Sequence, residues 1–487
     1  MRGQVEGSDV NRGQGAMRVA VGAAALLLAV GSAPSAEAQD GFGGWSNDAL
    51  VRAQAAEGYV PASNAFHIEG LLAEHHFPAR DQRCGSRFCV LGAMGHGQHR
   101  PSGEQSAYLV VEPVSGFDPE TTERPLLDLV LVVDRSGSMQ GWKLDAAKEA
   151  AHVLIDALRA EDRLSIVTFD EQAEVHAPSQ PVDDRAQLHE AVEGIEIRGG
   201  TNVYDGLALG FAQVGAPEVD GLPRLRRVLM LTDERPNVGA TEGGDFLELI
   251  GAHAAQSIGL TVVGVGLDLG AELANTMAQV EGAASYYLWR PEDAATLFSD
   301  LRRFVMPVAL GLQVRVEPGP GLRVAEVFGV PGDRVSLHAD GSATFRASTV
   351  FFDPIRRGAV VRLAPTVPGS DAALRADATI RFSYRLPESG QRYAGERSTQ
   401  HRSLRPDAIA DFPSHGAYLA YALVSYGERL RVGLAAWEAG QQDRAIAQLQ
   451  EARRYLRFDR QVLEDTQLDD ERDTVDRILR TMRAGKR

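Results

Sequence analysis

The stretch "LVVDRSGSMQG" (Leu131–Gly141) changes from apolar to polar at one residue, Asp134. The residues before it form a continuous apolar run, which is typical of a strand buried on both faces of a sheet. Ser136 and Ser138 follow the aspartate at two-residue spacing, and Gly137 allows a tight turn between them. In a doubly wound sheet, ligands bind outside the carboxyl ends of the strands. The stretch therefore predicts a ligand site at that edge of a sheet.

The segments around this stretch alternate between strand and helix patterns. The runs with strand character are "LLDLVLVVD", "RLSIVTFD", "AEVHAPS", "RRVLMLTD", "LTVVGVGLD" and "SYYLW". Between them lie segments whose apolar residues recur at helical spacing, such as "KLDAAKEAAHVLIDAL". Regular alternation of this kind predicts a parallel sheet covered by helices on both faces. We expect residues 126–308 to form one doubly wound, Rossmann-like α/β domain.

The chain outside residues 126–308 has three other patterns. Residues 39–125 give no assignable fold, although "IEGLLAEHHF" predicts a helix and "AYLVVEPV" predicts a strand. Residues 309–405 contain short alternating runs with a hairpin signal at Asp340–Gly341, which predicts a β-rich domain built as an antiparallel sandwich or barrel. Residues 406–487 return to helical patterns, with an Ala-Gly turn that resembles a tetratricopeptide helical hairpin.

The N-terminus has the pattern of a secretory signal peptide. Within residues 1–38, Arg18 precedes an apolar run from Val19 to Val30, and a small-x-small sequence lies just before Gln39. Met17 is the expected start, because the residues before it are polar and Gly-rich. The apolar run is too short to span a bilayer, and no cysteine lies near the cleavage point to carry a lipid. We expect an exported protein, periplasmic or secreted, with no transmembrane span in the mature chain.

Composition and the cysteines narrow the class of protein. A formal net charge of -16 argues against a general nucleic-acid binder, which needs a basic face. A hydrophobic content of 44% is enough for most of the chain to bury a core. Cys84 and Cys89 either close a short disulfide loop, as an exported protein allows, or remain free thiols. A zinc site at these cysteines is disfavoured, because a second cysteine pair is missing.

Two further stretches place oxygen donors at the same predicted edge of the sheet. Thr201 in "RGGTNVYDG" precedes a helix, and Asp233 in "VLMLTDERPN" closes another apolar strand. With Asp134, Ser136 and Ser138 they make a set of oxygen ligands from three loops. Oxygen ligands suit Mg²⁺, Ca²⁺ or Mn²⁺, whereas zinc and copper prefer nitrogen or sulfur. We therefore predict a divalent-cation site, with Mg²⁺ as the first expectation and Ca²⁺ or Mn²⁺ as alternatives.

The three motifs "DRSGS", "GGT" and "LTD" carry a family resemblance. In this order they make residues 128–306 resemble a von Willebrand factor type A (VWA) domain, and the ligand set matches its metal ion-dependent adhesion site (MIDAS) residue by residue. In that family the hydroxyl groups contact the ion directly, which would apply here to Ser136, Ser138 and Thr201. The resemblance implies a non-catalytic module in which one coordination position stays open for an aspartate or glutamate side chain of a protein partner.

The aspartates of the site have a different role in the family. The resemblance implies that Asp134 and Asp233 act through water or as switching ligands. The chain departs from the family pattern at the next residue, where Glu234 stands in place of a frequent glycine. This extra carboxylate either raises the affinity for the ion, competes with the incoming ligand, or points to solvent.

The order of the segments carries a weaker, architectural resemblance. It is similar to that of bacterial secreted proteins in which the metal-binding domain follows an N-terminal region and precedes a β-rich domain. Those proteins in turn resemble the inter-alpha-inhibitor heavy chains and the calcium-activated chloride channel proteins. The resemblance implies a role in adhesion or assembly and implies no pore.

Three functions are therefore open. The first is a protein-binding module of adhesion or assembly that recognises a partner carboxylate through the metal. The second is an extracytoplasmic scaffold whose metal site is idle or structural. The third, more remote, is a metal-dependent phosphohydrolase with Asp134 as nucleophile, although such enzymes have a second aspartate where this chain has Ser136. We expect no enzyme, because there is no G-x-S-x-G elbow and no histidine placed by sequence to act as a base.

The histidines of the N-terminal region form a separate cluster in the sequence. They are His67, His75, His76, His96 and His99, five of the twelve in the chain. Their spacing does not match a helical H-E-x-x-H pair. We expect exposed loop histidines rather than a transition-metal site.

Overall fold

A computed structural model of the chain gives the positions of its strands and helices. Residues 1–37 of the predicted signal peptide lie outside the described residues, as does Glu234. The structure describes residues 38–39, 48–80, 84–118, 120–216, 218–219, 221–233, 236–266, 273, 276–288, 291, 293–298, 300–353, 355–405 and 408–485.

The β-strands of this part of the chain fall into three sheets. In chain order they are β1 (Ala38–Gln39), β2 (Phe88–His99), β3 (Glu104–Ser115), β4 (Leu126–Asp134), β5 (Arg163–Phe169), β6 (Ala173–Pro181), β7 (Glu218–Val219), β8 (Leu222–Thr232), β9 (Ile258–Val265), β10 (Ala283–Leu288), β11 (Pro307–Pro318), β12 (Leu322–Phe328), β13 (Val335–Leu337), β14 (Ala343–Phe351), β15 (Ala359–Pro365), β16 (Asp377–Arg385), β17 (Arg392–Gln400) and β18 (Ala410–Asp411).

The α-helices lie mainly between the strands of the first sheet and at the C-terminus. In chain order they are α1 (Asp48–Ala56), α2 (Ile68–Ala73), α3 (Trp142–Ala157), α4 (Arg185–Glu193), α5 (Val203–Ala212), α6 (Gly243–Ala254), α7 (Asp293–Leu297), α8 (Arg302–Val305), α9 (His415–Glu438), α10 (Gln442–Leu463) and α11 (Gln467–Arg483). None of the helices in the described part of the chain combines the length and the apolar character that crossing a bilayer requires.

The first sheet has a parallel centre. Its strand order is β1-β10-β9-β8-β4-β5-β6, with β7 paired to β8. Strands β10, β9, β8, β4 and β5 are parallel to one another. Strand β6 is antiparallel to β5, because the few residues that join them allow a hairpin and not the long crossover of a parallel pair. The predicted doubly wound α/β fold is confirmed, with antiparallel strands added at its edges.

The continuous apolar run of β4 explains why helices cover both faces of this sheet. The odd-numbered residues from Leu127 to Val133 pack in one core with α3, α4, α7 and α8. Val130 and Val132 pack in the opposite core with α5 and α6. Because successive side chains of a strand point to opposite faces, a run that is apolar at every position needs a helical layer on each side.

The other two sheets are antiparallel and pack face to face. Their strand orders are β13-β14-β11-β16-β17 and β12-β15-β3-β2-β18. Val314 and Phe345 of one sheet share a core with Leu109 and Val361 of the other, so the β-rich part of the chain is a sandwich. Strands β2 and β3 belong to the segment that had no fold assigned from sequence, and they share a sheet with β12 and β15. The hairpin predicted at Asp340–Gly341 joins β13 to β14.

The C-terminal helices cover the outer face of the second antiparallel sheet. Helices α9 and α10 form the predicted hairpin, and the turn between them places Gly440 at a φ of 74°, which favours glycine. Helix α11 continues the packing, and α1 and α2 complete the layer. The core beneath it contains Leu71 of α2, Leu423 of α9, Leu456 of α10 and Val110 of β3.

The N-terminal cysteines are joined to each other. Cys84 and Cys89 form a disulfide. Cys84 precedes β2, and Cys89 is the second residue of that strand. Of the two alternatives that the sequence left open, the disulfide is the one in the structure.

The expectation of exposed loop histidines is wrong for most of the N-terminal cluster. His75, His96 and His99 are buried, whereas His76 is exposed and His67 is half-buried. The reason is tertiary: β2, which carries His96 and His99, lies inside the sandwich and beneath α9. Sequence spacing alone does not show this burial.

The sandwich contacts the α/β sheet at the amino ends of its strands. Arg227 lies in the middle of β8, level with Gly259 near the start of β9. It donates to the carbonyl oxygen of Gly282 (3.0 Å), and its guanidinium lies 5.0 Å from the centre of the Phe351 ring of β14. The backbone N–H of Gly282 donates to Oγ1 of Thr349 (2.7 Å), and Ser348 donates to the carbonyl of Ala278 (2.8 Å). These contacts lie at the end of the sheet opposite the carboxyl ends of its strands.

A buried ion pair joins the sandwich to the C-terminal helices. Arg100, which follows β2, donates through Nη1 and Nη2 to the two carboxylate oxygens of Asp459 in α10, at 2.6 and 2.7 Å. Burial alone would lower the pKa of Arg100, but the paired Asp459 raises it above its ordinary value. Tyr418 donates a further hydrogen bond to Asp459 (3.1 Å), and the Arg100 guanidinium lies 4.0 Å from the ring centre of Tyr455.

We predict that Asp459→Asn lowers the free energy of unfolding by about 3–5 kcal/mol, because it leaves the charge of Arg100 buried without its partner. Urea denaturation followed by far-UV circular dichroism measures the change. The matched control is Asp377→Asn, which removes an exposed Asp–Arg402 pair and should cost far less. Equal losses in the two variants would contradict the assignment of the buried pair as the stronger link.

Candidate metal centre

The three predicted loops meet at the carboxyl edge of the α/β sheet. Strand β4 ends at Asp134 between β5 and β8, where Val133 is paired with Leu231. Strand β8 ends one residue before Asp233, so the two aspartates leave neighbouring strands at the same level. After Asp134 the chain forms a 3₁₀ turn at Gly137–Met139 and then enters α3 through Gly141, whose φ of 80° favours glycine.

Four of the five predicted ligands are linked by hydrogen bonds. The backbone N–H of Ser136 donates to Oδ1 of Asp134 at 2.8 Å. The hydroxyl oxygens of Ser136 and Ser138 lie 3.0 Å apart, and Ser138 Oγ donates to Oδ1 of Asp233 at 2.9 Å. The DxSxS loop and the strand-end aspartate therefore bring two hydroxyl groups and two carboxylates into one cluster.

Thr201, the fifth predicted ligand, lies on a loop that is tied to the other two. The N–H of Gly137 donates to the carbonyl of Gly199 at 3.1 Å, which joins the loop of Thr201 to the DxSxS loop. The N–H of Thr201 donates to Oδ1 of Asn237 at 2.8 Å, and the N–H of Asn237 donates back to the Thr201 carbonyl at 3.1 Å. Gly200 permits this approach, because a Cβ atom there would lie 3.2 Å from Asn237 Oδ1.

The site concentrates buried negative charge. Asp134 and Asp233 are both fully buried, and Ser136 and Thr201 are almost so. Burial raises the pKa of Asp134 to about 6, and the charge of Asp233 adds to the rise, while hydrogen bonds from Thr232 and Ser136 oppose it. The Thr232 hydroxyl donates to Oδ2 of Asp134 at 2.6 Å. Two carboxylates buried side by side remain ionised only with a positive charge close by.

Lys143 supplies positive charge from within the chain. It lies in the first turn of α3, and its ammonium Nζ is 2.5 Å from Oδ2 of Asp233. Sequence reasoning missed this residue, although a lysine one turn into the helix after a DxSxS loop is visible in the sequence. It also missed Thr232 and Asn237. Their positions in the sequence, directly before and shortly after Asp233, are the signal that could have identified them.

The residues at this edge fit a divalent cation. The donors are hydroxyl and carboxylate oxygens, which suit Mg²⁺, Ca²⁺ and Mn²⁺. Ser138 is half-buried, and Gly137 and Trp142 beside it are exposed, so solvent reaches the cluster from one side. Ser136, Ser138 and Thr201 could hold the ion directly, with Asp134 and Asp233 balancing its charge.

Comparison with known proteins identifies the α/β part of the chain. Residues 129–235 match the sequence model of the von Willebrand factor type A domain. The chain is 31% identical over 187 residues to sll0103 of Synechocystis sp. (38% of this chain, 43% of that protein) and 26% identical over 281 residues to YfbK of Escherichia coli (56% and 48%). It is 25% identical over 190 residues to the inter-alpha-trypsin inhibitor heavy chain H4 of Bos taurus (38% and 21%).

These similarities are partial. The matched part of the chain spans less than half the length of each of these relatives. A solved structure, the von Willebrand factor type A protein from Catenulispora acidiphila, superposes with a TM-score of 0.48 at 16% identity, covering 79% of this chain and 87% of that one. By the match to the domain model, residues 129–235 form part of a von Willebrand factor type A domain, and the chain is related to bacterial sll0103 and YfbK and to the inter-alpha-trypsin inhibitor heavy chains.

Proposed function

We propose that the chain is a divalent-cation-dependent protein-binding module of adhesion or assembly, which recognises an aspartate or glutamate side chain of its partner. The observation that carries the proposal is the hydrogen-bonded cluster of Ser136, Ser138, Asp134 and Asp233 at the open edge of the sheet. VWA domains are typically binding modules of this kind and are generally not enzymes. We also propose that the predicted ligand set is complete with Thr201 and that the ion is Mg²⁺.

The charge of the ligand set supports recognition of a carboxylate. Ser136, Ser138 and Thr201 bring neutral hydroxyl groups, so they do not cancel the charge of a cation. A divalent ion held in this way supplies an electrophilic coordination position to an incoming carboxylate oxygen. The side chains of the cluster would hold the ion in position, and none of them would have to change covalently.

The surroundings of the site support a protein partner. Trp142, the first residue of α3, is 44% exposed and precedes Lys143, which contacts the cluster. Exposed tryptophans are frequent anchors of protein interfaces, because they bury a large area at low entropic cost. The contacts between the sandwich and the sheet that the described residues make lie at the opposite edge.

We further infer that the protein is exported, to the periplasm or beyond. The inference rests on the signal-peptide pattern of residues 1–38. The disulfide between Cys84 and Cys89 agrees with it, because such bonds persist in oxidising compartments.

We predict that millimolar Mg²⁺, Ca²⁺ or Mn²⁺ raises the melting temperature of the protein and that Asp134→Asn abolishes the rise. An ion that binds only the native state stabilises it by mass action, by about 2.7 kcal/mol at a concentration 100 times its Kd. Thermal unfolding in chelator and in each ion, followed by circular dichroism, measures the shift.

The matched control for this experiment is Asp128→Asn. Asp128 lies on the same strand, is equally buried, and accepts a hydrogen bond from the N–H of Gly215 (2.7 Å) at the opposite edge. This variant should unfold at a lower temperature yet keep the ion-dependent shift. If no ion shifts the wild type, or if both variants lose the shift, the site is not the metal centre proposed here.

We predict that Lys143→Met raises the affinity for the ion by roughly 10-fold or more. The ammonium of Lys143 is bonded to Asp233, so an ion that uses Asp233 must first compete with a charge-assisted hydrogen bond of about 1.5–3 kcal/mol. Isothermal titration calorimetry with Mn²⁺ measures the change. Lys148→Met is the control, because Lys148 lies on the same helix but donates to the carbonyl of Glu193. Weaker binding in Lys143→Met alone would show that the lysine supports the ion instead of competing with it.

We predict that a carboxylate, and not its amide, enters the coordination sphere of the bound ion. With Mn²⁺ as the probe, the relaxation rate of solvent water protons reports how many waters exchange at the ion. N-acetyl-glutamate amide should lower this rate by replacing a water, whereas N-acetyl-glutamine amide at the same concentration should leave it unchanged. Equal effects of the two compounds would remove the support for carboxylate recognition.

A further inference from the structure

A second cluster of metal-ligating groups lies in the sandwich, outside the α/β sheet that carries the DxSxS loop. It consists of His96 on β2, His401 directly after β17 and Asp411 on β18. One ligand atom from each residue lies within 4.8 Å of the others. The three come together through sheet pairing, because Asp411 is directly opposite His96 in the antiparallel pair of β18 and β2.

The two imidazoles already stand at the spacing of metal ligands. His96 Nδ1 and His401 Nε2 are 3.0 Å apart. A tetrahedral zinc ion with bonds of about 2.0 Å separates its ligand atoms by about 3.3 Å. An ion could therefore replace the hydrogen bond between the rings with a small adjustment of the side chains.

Both rings are shielded from solvent. His96 is fully buried and His401 is 7% exposed. Burial lowers the pKa of both imidazoles, and for His401 the neighbouring His96 lowers it further. Unprotonated imidazole is the form that donates an electron pair to a metal.

The carboxylate is held in place by its own hydrogen bonds. Oδ2 of Asp411 accepts from the hydroxyl of Ser403 (3.0 Å) and from the N–H of Leu404 (3.2 Å), and Oδ1 accepts from Arg405 (3.0 Å). Partners of this kind orient a metal ligand before the ion arrives. Oδ1, which accepts one hydrogen bond, retains a lone pair for an ion.

We propose that His96, His401 and Asp411 form a binding site for a zinc-type divalent ion, separate from the oxygen-ligand site of the VWA domain. Two imidazole nitrogens and one carboxylate oxygen are a ligand set that Zn²⁺ prefers and Mg²⁺ does not. The site brings together distant parts of the chain, because its two histidines are separated by 305 positions in the sequence. A bound ion would fasten the segment that leads from the sandwich, after β17, to helix α9.

The test uses the full chain without an affinity tag, stripped of metal and reloaded with Zn²⁺. Zinc retained after desalting is counted by mass spectrometry, and its affinity is measured by competition with a chromophoric chelator. We expect one tightly held Zn²⁺ per wild-type chain, binding at least about 100-fold weaker in His401→Gln, and binding at least about tenfold weaker in Asp411→Asn.

Two matched controls locate the ion. His152→Gln alters another His–His contact, in which the Nδ1 atoms of His152 and His189 are 2.7 Å apart on the VWA domain. Asp134→Asn alters the oxygen-ligand site. Both controls should retain the zinc; loss of the ion in either one, with retention in His401→Gln, would overturn the proposal.

A spectroscopic measurement on the wild type covers the case in which His401→Gln does not fold. Co²⁺ in place of Zn²⁺ should give the intense visible bands of tetrahedral coordination, and added Zn²⁺ should abolish them. Asp411→Asn, which keeps the size of the side chain, should change the bands. A wild type that gives no such bands and retains no zinc would overturn the proposal.

Discussion

The structure depends on the burial of β4 between two parallel neighbours and two helical layers. Every side chain from Leu127 to Val133 except Asp128 is apolar, and both faces of the strand are covered. Parallel pairing with β8 puts the ends of both strands at one level, which brings Asp134 next to the residue that follows β8. The same burial that stabilises the sheet therefore creates an edge where carboxylates from separate strands meet, at a cost in desolvation that only positive charge can offset.

The two ends of this sheet have different roles. At the amino ends, the guanidinium of Arg227 lies over the Phe351 ring of β14, and the N–H of Gly282 donates to Thr349 of the same strand, so the sandwich is attached there. At the carboxyl ends, the loops that carry Ser136, Thr201 and Asn237 contact one another.

Positive charge at the site comes from the chain itself in the form of Lys143. The ion pair with Asp233 explains how two buried carboxylates coexist at this edge. A cation that used Asp233 would have to compete with the ammonium group of Lys143. The histidine cluster of the sandwich has the opposite character. There two buried imidazoles take the place of the hydroxyl groups, and nitrogen and oxygen ligands suit ions of different classes.

The sequence by itself determined the α/β fold and the residues at its carboxyl edge. Strand burial and helix periodicity are local properties. The predicted ligands Asp134, Ser136 and Ser138 lie within one loop, so their proximity follows from the local pattern without knowledge of the strand pairing. Only the tertiary structure decided which distant segments share a sheet. It paired β3 with β15 and brought His96 to His401, because strand partners are chosen by competition across the whole chain and not by local pattern. For the same reason the burial of His75, His96 and His99 could not be predicted from their spacing.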